Sequence, residues 1–350
     1  MPASSSLASG LAASFAAACD ASGALLAEPY RIAGEPVSLR FATAALRDRL
    51  TAAFSHLRAD PAGEEPALTI NLWDSASTGC APPPHPAVPE GGAQGALYHF
   101  SEPPLRGVYQ PGFESLSVLD GEARTAWHWV GSAFELAYWD QACPIRQLLF
   151  WWLGSRGLLQ VHGASVGTAS GGVLVVGKGG SGKSTVALSS LGSGLLYAGD
   201  DYVAVGLEPA PRIESLYSSG KLEPDHVQTL LPHLLPLLDN ADRLASEKAV
   251  LYVQEHFPEQ TTAGFPLRAV LVPRVAASRP ESRIVEASRA AAFAALAPST
   301  ILQLHTADAG AFQTMSRLIE RVPCYGLELG SEVGAIPDTI AEFLAGLPPA

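Results

Sequence analysis

Lysine is the scarcest charged residue in this 350-residue chain. Of 22 basic side chains only four are lysine: Lys178, Lys183, Lys221 and Lys248. A chain that uses arginine almost everywhere else keeps an ammonium where a compact point charge fits and a planar guanidinium does not. Those four positions therefore rank high for closer reading. Charge is sparse altogether, at 16% of residues with a net of -12. That balance argues against nucleic acid as a partner, because no basic excess is available to displace counterions. The four cysteines (Cys19, Cys80, Cys143, Cys324) are far apart and form no CxxC pair. A zinc site and a disulfide framework are thereby disfavoured, and the chain reads as reduced and cytoplasmic. No run approaches eighteen apolar residues, so no transmembrane helix and no membrane partner are expected. Leu7 to Cys19 is apolar, but no Lys or Arg precedes Arg31, so a signal peptide's positive start is missing.

What is present is enough apolar material, 47% of residues, for more than one core. Residues 1–24 read as a disordered or short helical leader. Residues 25–143 alternate into a strand-rich α+β accessory domain. In it, strands are expected over 31–39, 67–73, 97–101, 106–110, 115–119 and 125–130, with a helix over 44–58. A Pro/Gly loop over 78–95 carries no periodic pattern. Cys143-Pro144 opens an apolar helix over 144–156, the expected junction, with Pro144 suited to its first turn. The aromatic stripe Phe150, Trp151, Trp152 on it reads as packing. Residues 157–350 form the second domain. Its expected strands cover 158–161, 164–166, 173–176, 195–198, 203–205, 212–215, 250–253 and 267–272. Its expected helices cover 184–191, 288–296, 309–321 and 337–347.

The sharpest motif is Gly177-Lys178-Gly179-Gly180-Ser181-Gly182-Lys183-Ser184, a G-x-x-x-x-G-K-S loop between an apolar strand and a helix. Glycines let backbone N–H groups curl round phosphate oxygens, and the following helix presents its positive end to the same anion. Lys183 is placed to reach the β- and γ-phosphates of a nucleoside triphosphate. Ser184 is placed to hold Mg²⁺, and Thr185 continues the turn. Seventeen residues after Lys183 an apolar strand runs into Asp200-Asp201. One carboxylate at such a strand end would organise the Mg²⁺ ion, and the other would accept the proton of an attacking hydroxyl. Which does which stays open. His162, fifteen residues before Gly177, would come near the pair from a neighbouring strand. Lys221 and Lys248 are candidates to bind phosphate or an acceptor carboxylate. Arg268 and Arg274 flank an apolar strand and are candidates to clamp the transferred group.

The run Val161-His162-Gly163-Ala164-Ser165-Val166, then the loop 177–185, then Gly199-Asp200-Asp201-Tyr202-Val203 resembles the catalytic domain of bacterial HPr kinase/phosphorylase. The resemblance spans roughly 157–345 and is carried by 157–205. It implies an α/β P-loop fold of the HPr kinase/PEP carboxykinase type. It also implies use of ATP and Mg²⁺, catalysis by His162, Lys183, Asp200 and Asp201, and a serine hydroxyl of a protein as acceptor. Metal binding would fall to Ser184 and Asp200, and homo-oligomers would be compatible with it. The first half does not look like the family's N-terminal domain, and the family's C-terminal arginine-rich signature is missing. The layout is closer to HPr-kinase-related proteins of peptide-tailoring pathways, including lasso-peptide kinases, to which Ser215–Leu222 and Glu247–Leu251 are similar. The acceptor this implies is a peptide or small protein bearing serine. Other readings remain: a kinase/phosphorylase acting on a phosphocarrier protein, an NTP hydrolase or small-molecule kinase on the same loop, and a non-catalytic ATP-binding sensor.

Overall fold

A computed structural model of the protein describes residues 4–60, 63–85, 97–276, 278–303 and 309–348. The chain divides into two compact units. One comprises Met1–Ala52 with Leu57–Trp152, and the other Ala53–His56 with Leu153–Ala350. The architecture is mixed α/β with several sheets. Among the described residues no helix is long and apolar enough to cross a membrane.

In the first unit the leader forms α1 (Ser4–Ser22), whose Leu7, Leu11 and Ala18 are buried in the core rather than left as a loose tail. The text expected as one strand over 31–39 is a hairpin, β1 (Leu26–Ile32) and β2 (Glu35–Phe41). Its turn, Ala33-Gly34, has φ of 50° and 80°. Two successive left-handed residues make the tight turn that suits the strands' twist, and an alanine in the first position gives little warning of it. Next come α2 (Ala44–Thr51), β3 (Leu68–Asp74) and the single turn α3 (Ser75–Thr78). The expected helix over 44–58 tightens into a 3₁₀ stretch from Ala52 to Leu57. The loop 78–95 lies outside the described residues from 86 onward.

The sheet continues with β4 (Tyr98–Glu102), β5 (Leu105–Gln110), β6 (Ser115–Asp120) and β7 (Thr125–Val130), in the order β1-β2-β3-β7-β6-β5-β4. Strand alternation sends Trp127 and Trp129 of β7 into the core with Trp73 and Leu116, while His128 takes the other face. There its Nδ1 lies 2.9 Å from Ser117 Oγ on the paired strand. After α4 (Tyr138–Ala142), α5 (Arg146–Ser155) carries the chain from one unit into the other.

The second unit is built round two long strands, β8 (Leu158–Thr168) and the twelve-residue β15 (Gly264–Val275). Between them run β9 (Gly171–Val176), α6 (Lys183–Ser189), β10 (Leu196–Gly199), β11 (Tyr202–Gly206) and β12 (Arg212–Ser215). The ribbon β13 (Ser219–Leu222) follows, then α7 (Pro224–Leu230), β14 (Ala249–Tyr252) and the short α8 (Val253–His256). Beyond β15 lie β16 (Arg283–Glu286), α9 (Arg289–Gln303), α10 (Ala309–Arg321), β17 (Cys324–Leu329) and α11 (Ile336–Gly346). One path through the sheet runs β10-β8-β9-β15-β17-β16, with β9, β15 and β17 parallel. A second path joins β8 to β15 through β11 and β12. Val173 and Val175 of β9 pack with Val186 and Leu188 of α6 and with Ile336 and Ile340 of α11. This core fixes α6 against the strand that precedes it.

Each unit holds a histidine kept neutral by burial. Burial pushes His128 down to about 4 and His56 down to about 3 from 6.5. His56 Nε2 lies 2.6 Å from Ser215 Oγ. The unfolded chain binds these protons first as pH falls, so the stability they contribute is complete above 6.5. It is lost as pH drops toward 4 and 3. Each should remove about 1 kcal/mol per pH unit across its window. Chemical denaturation at pH 7 and pH 5 checks this, and His128→Asn with His56→Asn should flatten the slope.

Candidate active site

Strand β9 ends at Val176, and the next six residues, 177–182, form the glycine loop that leads into α6. Gly182 has φ 105°, and a Cβ there would collide with Leu329 Cδ1 at the end of β17. The left-handed φ is what calls for glycine here, since the Leu329 methyl could give way to a side chain. Gly179 and Gly180 have open space where a side chain would stand, and Lys178 is exposed on the loop. Lys183 is buried and folds back over its own loop, its Nζ donating to the Gly177 carbonyl at 2.8 Å and the Lys178 carbonyl at 3.3 Å. Burial pushes its ammonium below the usual lysine range, and the charges of Asp200 and Asp201 partly restore it. Ser181 Oγ is buried without a hydrogen-bond partner among the described residues. An unpartnered buried hydroxyl of this kind is uncommon in folded chains. Thr185 is buried in α6.

The aspartates stand between β10 and β11, which both pair with β8. Asp201 has φ 70°, a left-handed conformation that costs about 1 kcal/mol outside glycine. The reversal sends neighbouring carboxylates to different partners. Asp200 is fully buried and turns toward α6, where Ser184 Oγ donates to its Oδ1 at 3.0 Å. The Lys221 backbone N–H donates to Oδ2 at 3.1 Å. Asp201 turns toward β8. His162 Nε2 lies 3.1 Å from its Oδ1 and Lys221 Nζ 2.5 Å from its Oδ2. A carboxylate only accepts, so His162 carries its proton on Nε2. Its buried Nδ1 is then left without a partner among the described residues.

The two carboxyls are pushed in opposite directions. Burial, aided by the charge of Asp201, raises Asp200. Burial also acts to raise Asp201, but the Lys221 ammonium and His162 outweigh it and hold that group well below the usual carboxylate range.

Three features position these groups. His162 pairs with Tyr202 across β8 and β11, and its backbone N–H donates to Thr300 Oγ1 in α9 at 3.3 Å. Gly220 has no side chain to hold β13 away from α6: a Cβ there would meet Leu188, and Tyr197 Oη donates to the Ser219 carbonyl at 2.9 Å. Gln260 closes the turn between α6 and β10. Its Nε2 donates to the Ser190, Ser193 and Leu195 carbonyls at 3.1, 2.9 and 2.8 Å, and Gly192 N–H donates to its Oε1 at 2.6 Å. Because that turn links the glycine loop's helix to the strand before Asp200, Gln260→Ala should destabilise the protein by about 1–3 kcal/mol. Thermal melting checks it, and Gln260→Glu should lose most of the same stability because a carboxylate cannot donate.

Of the residues singled out by sequence, His162, Lys183, Ser184, Asp200, Asp201 and Lys221 converge. Lys248 pairs with Glu223 at 2.6 Å on the neighbouring ribbon, and its charge reaches Lys183. All four lysines therefore belong to one region. Lys221 stands there as the partner of both aspartates, a role its scarcity alone did not indicate. Arg268 does not belong. It lies beside Gly171, at the start of β9, and its guanidinium donates to the Ser170 and Pro348 carbonyls. The loop sits at the other end of that strand, so an arginine at the head of β15 faces away from it. Thr300, Gly220 and Gln260 carried no sequence signal, since each acts through a contact distant along the chain.

No family model matches this chain, and no curated protein matches it. Among solved structures it is similar to the HPr(Ser) kinase/phosphatase from Coxiella burnetii, at 10% identity over 53% of this chain and 93% of that one, with a TM-score of 0.29. That is a distant likeness.

Proposed function

We propose that the protein is an ATP- and Mg²⁺-dependent phosphotransferase that moves the γ-phosphoryl group to a serine hydroxyl of a peptide or protein. One observation carries this reading: beside a glycine loop of triphosphate-binding pattern, two adjacent carboxylates are divided between different partners. Asp200 shares a hydrogen bond with Ser184, and Asp201 is held by His162 and Lys221. Ser184 and Asp200 offer the hard oxygen donors that suit Mg²⁺ and would hold it. When bound, the ion neutralises charge developing on the triphosphate. Asp201 remains ionised, held so by Lys221 and His162. It accepts a hydrogen bond from the acceptor hydroxyl and takes its proton as that oxygen bonds to the γ-phosphorus and the bond from that phosphorus to the β–γ bridging oxygen breaks, ADP leaving. Lys183 leaves the Gly177 carbonyl to pair with the β- and γ-phosphates. The loop amides and the Ser181 hydroxyl complete the cradle.

The acceptor class rests on the sequence resemblance, which favours a ribosomal precursor peptide of the lasso type over a phosphocarrier protein. Incubation with γ-labelled ATP and both acceptors tests the reading. Label on serine of one of them is the expected result. ATP binding with no transfer to either would leave a sensor instead.

A further inference from the structure

Lys183 and Lys221 have tasks in the phosphotransfer reading, and Lys248 has none. It stands just before β14, and its ammonium meets the carboxylate of Glu223, just after β13, at 2.6 Å. The ladder between these strands pairs Lys221 with Val250 and Leu222 with Ala249, so Glu223 and Lys248 face each other one step beyond its end. Glu223 keeps extended backbone, φ -60° and ψ 139°, and the alternation of side chains continues through it. Leu222, Ala249 and Leu251 pack into the core with Leu188 of α6. Lys221, Glu223 and Lys248 therefore share the other face of the ribbon. On that face Lys221 Nζ reaches Asp201 at 2.5 Å. Lys248 is a diagonal neighbour of Lys221, a separation that long side chains span. Its charge also acts on the Lys183 ammonium, which it disfavours.

These relations put Lys248 at the γ end of the site. In the phosphotransfer reading the γ-phosphoryl group lies between Lys183, which holds the β- and γ-phosphates, and Asp201, which receives the proton. Lys248 acts on the first and neighbours the partner of the second. Its contact with Glu223 is a weak one. The two side chains are 44% and 53% exposed, and an ion pair that open to water holds its members by little. The adjacent Glu247 is engaged by Asn240 and Arg243, and Asn240 Nδ2 donates to the Lys248 carbonyl at 2.8 Å. The backbone at Lys248 is thus fixed while its flexible side chain is free to change partner. A terminal phosphate carries more charge and more acceptor oxygens than one carboxylate, so it competes well for the ammonium. Two ammoniums that disfavour each other, as Lys248 and Lys183 do, are both relieved by a polyanion bound beside them.

We infer that Lys248 binds the γ-phosphate and that Glu223 holds it until the nucleotide arrives, so that the pair distinguishes triphosphate from diphosphate. This rests on the reading of the loop as a triphosphate site. Calorimetry of the full-length protein with MgATP and MgADP tests it. Lys248→Met should weaken MgATP about tenfold, the worth of one charge-assisted contact, and leave MgADP within about twofold of wild type. Glu223→Gln should tighten MgATP about two- to fivefold by removing the competitor. In the double variant that gain should vanish, because no ammonium is left to free. MgADP binding also reports that each variant is folded. Unchanged MgATP affinity in Lys248→Met would overturn the inference and leave the loop reading intact. So would equal losses for MgATP and MgADP, or a Glu223→Gln gain that persists without Lys248, each the mark of a general electrostatic effect. Wild-type protein that binds neither nucleotide would overturn the loop reading itself and this inference with it.

Discussion

Asp201→Asn should lower phosphoryl transfer by about 10²–10⁴-fold, the range for removing a positioned general base, while leaving ATP affinity within about twofold of wild type. The argument is local. The amide is isosteric, so the left-handed turn at Asp201 and the course of β11 are preserved. Yet one carboxylate oxygen becomes an NH₂ donor, and both oxygens now face donors, His162 Nε2 and Lys221 Nζ. The imidazole can take the other tautomer and accept from the new NH₂ while the remaining oxygen keeps Lys221, so the substitution removes the base and its charge with little rearrangement. Because Asp200 still receives Ser184 Oγ and the Lys221 backbone N–H, the nucleotide side of the site should stand. Single-turnover transfer and ATP titration on the same preparation check both halves. A large loss of ATP affinity would instead place Asp201 among the metal-holding or phosphate-holding groups.

The second large effect concerns Lys183. Lys183→Met should weaken MgATP about 100-fold or more, since at least two charge-assisted hydrogen bonds to phosphate, each worth about 1.5–3 kcal/mol, are lost. Stability should barely move. The ammonium is buried and already held below its ordinary range by that burial. A similarly long apolar side chain relieves its desolvation while giving up two hydrogen bonds to backbone carbonyls. Calorimetry with MgATP reads the first effect and a thermal melt the second. A melt lowered by many degrees together with lost binding would mean that Lys183 holds the loop's shape rather than its ligand.

The pattern of strands in the first unit from β5 to β7, and of strands and helices round the glycine loop, was legible because period-two and period-3.6 patterns are strong there. The Ala33-Gly34 hairpin was not, because its turn chemistry rests on a left-handed alanine. Strands β16 and β17 were also missed. Their four and six residues carry a mixed polar pattern, with Glu328 near the end of β17 meeting three arginines rather than solvent. At the site, residues bound into a local motif were visible: the loop, the Asp pair and the His-Gly before them. Contacts made across the fold were not. Gly220 matters because of Leu188 and Tyr197, and Thr300 because of the His162 backbone. No spacing in the text encodes either contact. Arg268 and Arg274 show the same limit in reverse. Two arginines flank one strand symmetrically in the sequence, yet its parallel pairing with β9 sets Arg268 at the end away from the loop.

The gathering of every lysine into one region also makes the protein unusual as a chemical reagent's target. Amine-directed labels, which on most proteins scatter over the surface, can here react with side-chain amines only round the glycine loop. Lys178 and Lys248 would be reached first, and the buried Lys183 shielded. Lysine acylation or carbamylation would therefore act as a footprint of site occupancy. Coupling the protein to a support through its lysines would block the site it was meant to display.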